Sequence, residues 1–257
     1  MEKHIIKIND FGMFVESVKS LTKMSESAKF NVSENGLVVN GKNSFSKCEL
    51  MTDAISSDSA FFFCIKELGT FVRVLNSVKD IQDEDFTDLN VVYDGSFVRF
   101  SSKKIKTKYS VCQETAITDC ISSPAHEMTT KCEFTTTSDY IKRVNSHTFM
   151  FKDLTSVRIY LDKNPEMENN AIYATLGNEG NDLENSMTVK VGLLNYGNFD
   201  ERVIIDFDRL NIFNMMPSDD IRLHLMNEKK AIMSETNKTG KNGTFFKLKV
   251  YVWLLVK

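Results

Sequence analysis

Hydrophobic and polar residues alternate in short runs along most of the chain, and helical spacing interrupts the alternation four times. "HIIKIN" (4–9) reads as a strand, with Asp10 placed to cap a helix. Apolar residues then recur at Phe11, Phe14, Val18 and Leu21, the period of a helix running to about Met24. "AKFNVS", "GLVVNG" and "FSKCELMT" are brief alternating runs separated by Asn-Gly or Gly, which predicts an antiparallel meander. "FFFCI" starts a further strand at Phe61, and a helix is expected from Lys66 with Leu68, Phe71, Val72 and Leu75 on one face. "LNVVYD", "SFVRFSS" and "KIKTKYSVCQ" are three more strands, the first two joined by an Asp94-Gly95 turn.

Residues 114–130, "ETAITDCISSPAHEMTT", break this rhythm: they are polar, hold Pro124 and show no period. The programme then restarts. "KCEFTTT" reads as a strand, Ser138 as the cap of a helix carrying Tyr140, Ile141, Val144 and Phe151, and "SVRIYLD", "NAIYATLG" and "SMTVKVGLL" as strands. "RVIIDF" followed by "DRLNIFNMM" is a second strand-helix unit, and "DIRLHLM", "KAIMSETN" and "TFFKLKVYVWLLV" close the chain. With Leu68 set over Leu210, Phe61, Phe63, Ile65 and Phe71 fall on Val203, Ile205, Phe207 and Phe213 without a gap. The repeat is far longer than a solenoid unit. We read a whole domain copied once: residues 1–113, a linker at 114–130, and residues 131–257.

Composition narrows the classes. The 257 residues are 42% hydrophobic and 26% charged, with net charge −3, so there is a core to bury and no overall basic signal. "MEKHIIKINDFG" does not read as a signal peptide, and no apolar run approaches a membrane span, so no membrane partner is expected. Five widely spaced cysteines, Cys48, Cys64, Cys112, Cys120 and Cys132, suit thiols in a reducing compartment. Cys112, Cys120, His126 and Cys132 lack the close pairing of a zinc site, so no metal or other cofactor is expected. His4, His147 and His224 are scattered, "TGKNGT" (239–244) lacks phosphate-loop spacing, and "DIQDEDFTD" (80–88) reads as a solvated loop; nothing points to catalysis.

The layout, a duplicated α+β domain of two helices and many antiparallel strands, resembles the DNA sliding clamps: the proliferating cell nuclear antigen family and the trimeric clamps of large phages. "VIIDFDRLNIFNMMPSDDIRLHLMNEKKAIMSE" is similar to the family's strand, helix and two returning strands; "FFKLKVYVWLL" resembles its closing strand; "FVESVKSLTKMSESAKFNVSENGLVV" resembles its first helix and next two strands. The resemblance implies a homotrimeric ring, with twelve helices lining a hole for duplex DNA and sheets outside. Such a ring acts without catalysis, tethering a DNA polymerase and being opened by a clamp loader. It would close by pairing of Lys104–Val111 with Ser186–Leu193 of a neighbour.

The resemblance places Lys19, Arg73 and Lys142 on the DNA side, with Lys23, Lys79 and Arg143 beside them. Helix charge agrees in part. Lys66, Arg73 and Lys79 against Glu67 give the second helix +2, and Lys142, Arg143 and Lys152 against Asp139 give the third +2. The first balances at 0, and the fourth, Arg209 against Asp206 and Asp208, is −1, with Asn211, Asn214 and Met215 outward. The family's pocket for partner peptides maps to Val39, Gly41, Phe45, Ile117, Ile121, Tyr251 and Trp253. An alternative is a viral polymerase accessory subunit or late-transcription coactivator of the same fold, binding DNA directly as monomer or dimer. Both readings place the protein in the cytoplasm, a host's if the source is a phage, or in another reducing compartment that holds DNA.

Overall fold

The computed structural model describes residues 3–42, 46–83, 85–120, 129–148, 158–163, 168, 170–177, 186–199, 202–216, 220–226, 231–240 and 243–255. They form two compact units, Met1–Ser122 with Asn237–Lys249, and Ser123–Thr236 with Val250–Lys257. The first unit thus takes in 237–249, a segment from near the end of the sequence.

In chain order the first unit holds β1 (His4–Ile8), α1 (Phe11–Leu21), β2 (Ala28–Ser33), β3 (Gly36–Lys42), β4 (Ser46–Thr52), the two-residue β5 (Ile55–Ser56), β6 (Phe61–Ile65), α2 (Leu68–Gln82), β7 (Asn90–Tyr93), β8 (Phe97–Ser101) and β9 (Lys106–Ser110). A 3₁₀ turn comes next, at Glu114–Cys120. The second copy gives β10 (Thr130–Thr137), α3 (Ser138–Thr148), β11 (Arg158–Asp162), β12 (Ala171–Leu176), β13 (Met187–Gly197), β14 (Val203–Asp206), α4 (Phe207–Asn214), β15 (Asp220–Met226), β16 (Ala231–Thr239) and β17 (Phe245–Trp253). The expected order of elements is present; β5 is the addition, too short to leave a pattern.

In the first unit one sheet runs β5-β1-β7-β8-β9 and the other β6-β2-β3-β4, continued by β17. β2 and β3 turn tightly at Gly36, whose φ of +116° and a would-be Cβ 2.4 Å from the Thr52 carbonyl oxygen leave room for glycine alone. Phe30 of β2 and Phe63 of β6 stack at 4.9 Å, and Phe71 of α2 meets Phe30 edge-on at 5.8 Å. Leu68, Phe71 and Leu75 are fully buried, as the helical period required. In the second unit the order is β14-β11-β12-β13-β10-β15-β16. Ile141 and Val144 of α3 and Leu210 and Phe213 of α4 are buried, while Phe134 and Phe199 pack edge-on at 5.9 Å.

The repeated strand-helix stretch keeps its core register: Phe63, Leu68 and Phe71 are buried, and so are Ile205, Leu210 and Phe213. The helix starts differ. α2 begins at Leu68 after Glu67, which makes no side-chain cap, rather than at Lys66. α4 begins directly after its strand because the Asp206 carboxylate accepts from the Arg209 amide at 2.8 Å. α3 is capped by the Thr137 hydroxyl, which accepts from the Tyr140 amide at 3.3 Å, rather than by Ser138. Phe151 and Lys152 lie outside the described residues.

Asp10 does cap α1: one carboxylate oxygen accepts from the Met13 amide at 2.8 Å, and the other accepts from the Thr244 hydroxyl at 3.0 Å. Asp10→Ala should therefore lower stability by about 1–2 kcal/mol, with Asp10→Asn restoring most of it. Urea unfolding midpoints at constant m-value check this; an unchanged midpoint for the alanine variant would refute the cap.

Candidate nucleic-acid and partner surfaces

α1 packs most of its circumference into the core, leaving Gly12, Glu16 and Lys19 in one stripe at spacings of four and three, with Lys23 in the turn that follows. Lys19 and Lys23 are exposed. On α2, Arg73 is exposed and donates to the Thr70 hydroxyl at 2.9 Å, which in turn donates to Glu67 at 3.1 Å. Lys19 and Lys79 line one open groove of about 680 Å³, together with Asp10, Glu16, Asn76 and Lys238. Its carboxylates are already engaged: Asp10 caps α1, and Glu16 is ion-paired to Lys238. Lys19 and Lys79 have no carboxylate partner among the described residues. An anion entering this groove would meet two uncommitted ammonium groups.

Lys238 is the member that sequence reasoning missed. It precedes the hairpin turn closed by Gly240 and Thr244, whose backbone bond is 2.7 Å, and the turn brings it to α1 across 222 positions of sequence. No local pattern carries that information.

In the second unit Lys142 and Arg143 are exposed on α3. Lys142 lies 3.8 Å from Asp139, an exposed pair of the kind that contributes little, and Arg143 lies 5.8 Å over the Tyr140 ring. α4 offers no cation to a ligand. Arg209 donates to the Trp253 carbonyl oxygen at 2.9 Å and is ion-paired to Asp206. Asn211 takes a bond from Asn145 of α3 at 3.3 Å, and Asn211, Asn214 and Met215 are partly exposed and neutral.

The residues expected to bind partner peptides are placed unevenly. Val39 is fully buried: it pairs with Phe30, whose ring lies between Phe63 and Phe71, so it faces the helices. Gly41 shares that side, and a Cβ there would meet Ser25 and Cys48 at 2.8 Å. The outer side of β3 belongs to Val38, Asn40 and Lys42, so a peptide on that side would meet these three in place of Val39 and Gly41. Ile117 sits on the outer side, 4% exposed, packed with Cys64 and Cys112. Beside it Lys29 is ion-paired to Glu114 at 2.5 Å and lies 4.2 Å over the Phe62 ring. Phe45 and Ile121 lie outside the described residues. Tyr251 is buried, and Trp253 is partly exposed.

The register also aligns Phe62, Val38 and Met51 in one outer row, through Asn31 opposite both Phe62 and Val38 and Val38 opposite Met51. Phe62 and Met51 are exposed apolar side chains.

Among the described strands, β9 ends its sheet and pairs with β8 alone. It is held onto α2 by Tyr109, which meets Phe71 edge-on at 5.0 Å and donates to the Glu67 carbonyl oxygen at 3.1 Å. Burial first, then the Glu67 charge, pushes the Tyr109 phenol up, so it stays neutral. Over Met187–Gly192, β13 pairs with β12 and with no other described strand; β10 joins it only from Leu193. Lys190 there hydrogen-bonds Glu168 at 2.5 Å, which raises its pKa and keeps it charged.

No known family profile matches the sequence, and no curated protein matches it. The fold is another matter. It is similar to the proliferating cellular nuclear antigen of Entamoeba histolytica at a TM-score of 0.66, with 18% identity and 99% of each chain covered. It is similar to A. fulgidus PCNA, solved with the C-terminal region of FEN-1 bound, at 0.66, with 12% identity over 100% of this chain and 99% of that one. A putative DNA polymerase III beta subunit from Eubacterium rectale gives 0.67, with 8% identity over 100% of this chain and 67% of that one. The chain has the DNA sliding-clamp fold.

Proposed function

We propose that the protein is a DNA sliding clamp, a homotrimeric ring that encircles duplex DNA and holds a DNA polymerase on it without catalysing a reaction. The observation that carries this is a pair of open strand edges, one in each copy. Among the described strands β9 pairs with β8 alone, and β13 over Met187–Gly192 pairs with β12 alone. Pairing β13 of one chain to β9 of the next would use up both edges. A ring of three chains results if the six domains match those of the clamps.

Exposed cations on α1, α2 and α3 fit a lining that touches phosphates without reading bases. Lys19, Lys23, Arg73, Lys79, Lys142 and Arg143 are the proposed contacts. A clamp loader and polymerase would attach outside the hole, through short peptides like the FEN-1 C-terminal region in the A. fulgidus complex. Topology tests the reading: protein loaded on nicked circular plasmid should stay bound through a high-salt wash and be lost once the plasmid is cut. Loss that is equal before and after cutting would favour a direct binder, the monomeric or dimeric accessory subunit or coactivator.

The linker isoleucines give the peptide site its test. Ile117 is anchored against Cys64 and Cys112, and Ile121 lies four residues further on. Ile121→Asp is expected to weaken partner peptides by about tenfold or more, since an apolar anchor in a small contact contributes about 1–3 kcal/mol, while light scattering shows the oligomer intact. Calorimetry with polymerase-derived peptides measures this, and undiminished affinity would move the peptide site elsewhere.

A further inference from the structure

Cys112 lies directly opposite Cys64 in an isolated antiparallel bridge. Its amide donates to the Cys64 carbonyl oxygen at 2.9 Å, and its Sγ lies 3.4 Å from the same oxygen. Directly opposed residues of an antiparallel pair lie about 4.5–5.5 Å apart at Cα, within the roughly 4.4–6.8 Å that a disulfide spans. Their side chains leave the pair on the same face. Both thiols pack against Ile117. Cys64 is 1% exposed, whereas Cys112 is partly exposed.

We propose that Cys64 and Cys112 are a site of reversible disulfide formation, with Cys112 as the attacking thiol and Cys64 as the resolving one. The exposure difference sets the order, because an external disulfide reaches Cys112 first. In the first step the Cys112 thiol loses its proton and attacks glutathione disulfide. A bond forms between Cys112 and one glutathione sulfur, the old S–S bond breaks, and one glutathione leaves as thiol. In the second step the deprotonated Cys64 sulfur attacks Cys112 Sγ and expels the second glutathione as thiol. Two protein thiols are oxidised and one glutathione disulfide is reduced. A thiol reductant reverses both steps.

The bond would tie β6 to the last residues before the 3₁₀ turn that carries Ile117. Oxidation thereby fixes the start of the segment proposed to bind partner peptides. That consequence rests on the proposed function; the chemistry does not.

The test uses the full chain with Cys120→Ser, incubated in glutathione redox buffers and read by intact mass and peptide mapping. The expected product has lost two hydrogens and yields one Cys64–Cys112 cross-linked peptide. Its melting temperature rises by roughly 5–10 °C, because the bond restrains the unfolded chain, and falls back on adding reductant. Adding Cys64→Ser should trap one glutathionyl group on Cys112, whereas adding Cys112→Ser should leave Cys64 unmodified while the protein is folded. Absence of the cross-linked peptide under buffers that glutathionylate Cys112 would overturn the proposal, and so would equal modification of Cys64 in the Cys112→Ser variant. Plasmid retention of the reduced protein reports separately on the clamp reading.

Discussion

Lys108→Pro should turn the proposed three-chain particle into single chains at micromolar concentration. The reasoning starts from the hydrogen-bond alternation of β9. Val111 donates to Ser96 and Ser102 donates to Ile105, each at 3.0 Å or less. In the register Phe97 opposite Ser110 through Ser101 opposite Lys106, these bonds put the amides of Thr107 and Tyr109 toward β8. The amides of Lys106, Lys108 and Ser110 then point to the open edge. Proline at 108 deletes an edge donor and leaves the β8 ladder complete. In a β9–β13 pairing between chains, a carbonyl oxygen of β13 loses its partner, which costs about 1–3 kcal/mol at each interface, and the pyrrolidine ring holds the strands apart. Each chain takes part in two interfaces, so the loss compounds. Lys108→Ala is the control: it removes the ammonium that lies 4.3 Å over Phe97 and keeps the amide. Light scattering decides. A proline variant that retains three-chain mass would rule out β9 as the joining edge, and a wild-type mass of one chain would rule out the ring.

Much of this fold was legible because burial and period are coupled. α1 and α2 bury the faces that their spacing marked, α3 buries Ile141 and Val144 of its marked face, and Asp10 caps where a short acidic side chain before a helical run should. Where the local signal is degenerate, sequence alone does not place a side chain. Leu37, Val38 and Val39 are three apolar residues in a row, so parity along β3 cannot be assigned from the strand itself. Pairing of Val39 with Phe30 settles it, and that pairing belongs to the sheet. At Thr137–Ser138 two hydroxyl residues compete for one cap, and the sequence does not rank them. Arg209 reads as a surface cation, yet Trp253, 44 positions away, supplies the carbonyl that occupies it. Lys238 reaches α1 by the same kind of long-range contact. Sequence spacing therefore located the cations on helices, and the tertiary contacts determine which of them are uncommitted.

That distinction fixes the second large effect. Lys19, Arg73, Lys142 and Arg143 are exposed, and among the described residues their side chains meet a groove wall, a threonine hydroxyl, a weak exposed ion pair and a tyrosine face. Changing all four to Glu should leave folding and the proposed three-chain mass intact, since none is buried. DNA binding is expected to respond strongly. Each phosphate contact contributes a slope of about −0.9 to the dependence of log affinity on log salt, so four lost contacts would erase roughly a 100-fold difference between about 50 and about 200 mM salt. The loss should be uniform across DNA sequences, because phosphates carry no base identity. The same reversal at Arg209 and Lys238 should leave the salt slope unchanged, as both cations are already paired with Asp206 and Glu16. Binding to duplexes of different sequence across a salt series, together with stimulation of the cognate polymerase, measures both sets. Unaltered stimulation by the fourfold variant would mean that DNA passes another face of the protein, whereas a changed slope in the Arg209 and Lys238 variants would mean that their ion pairs open when DNA binds.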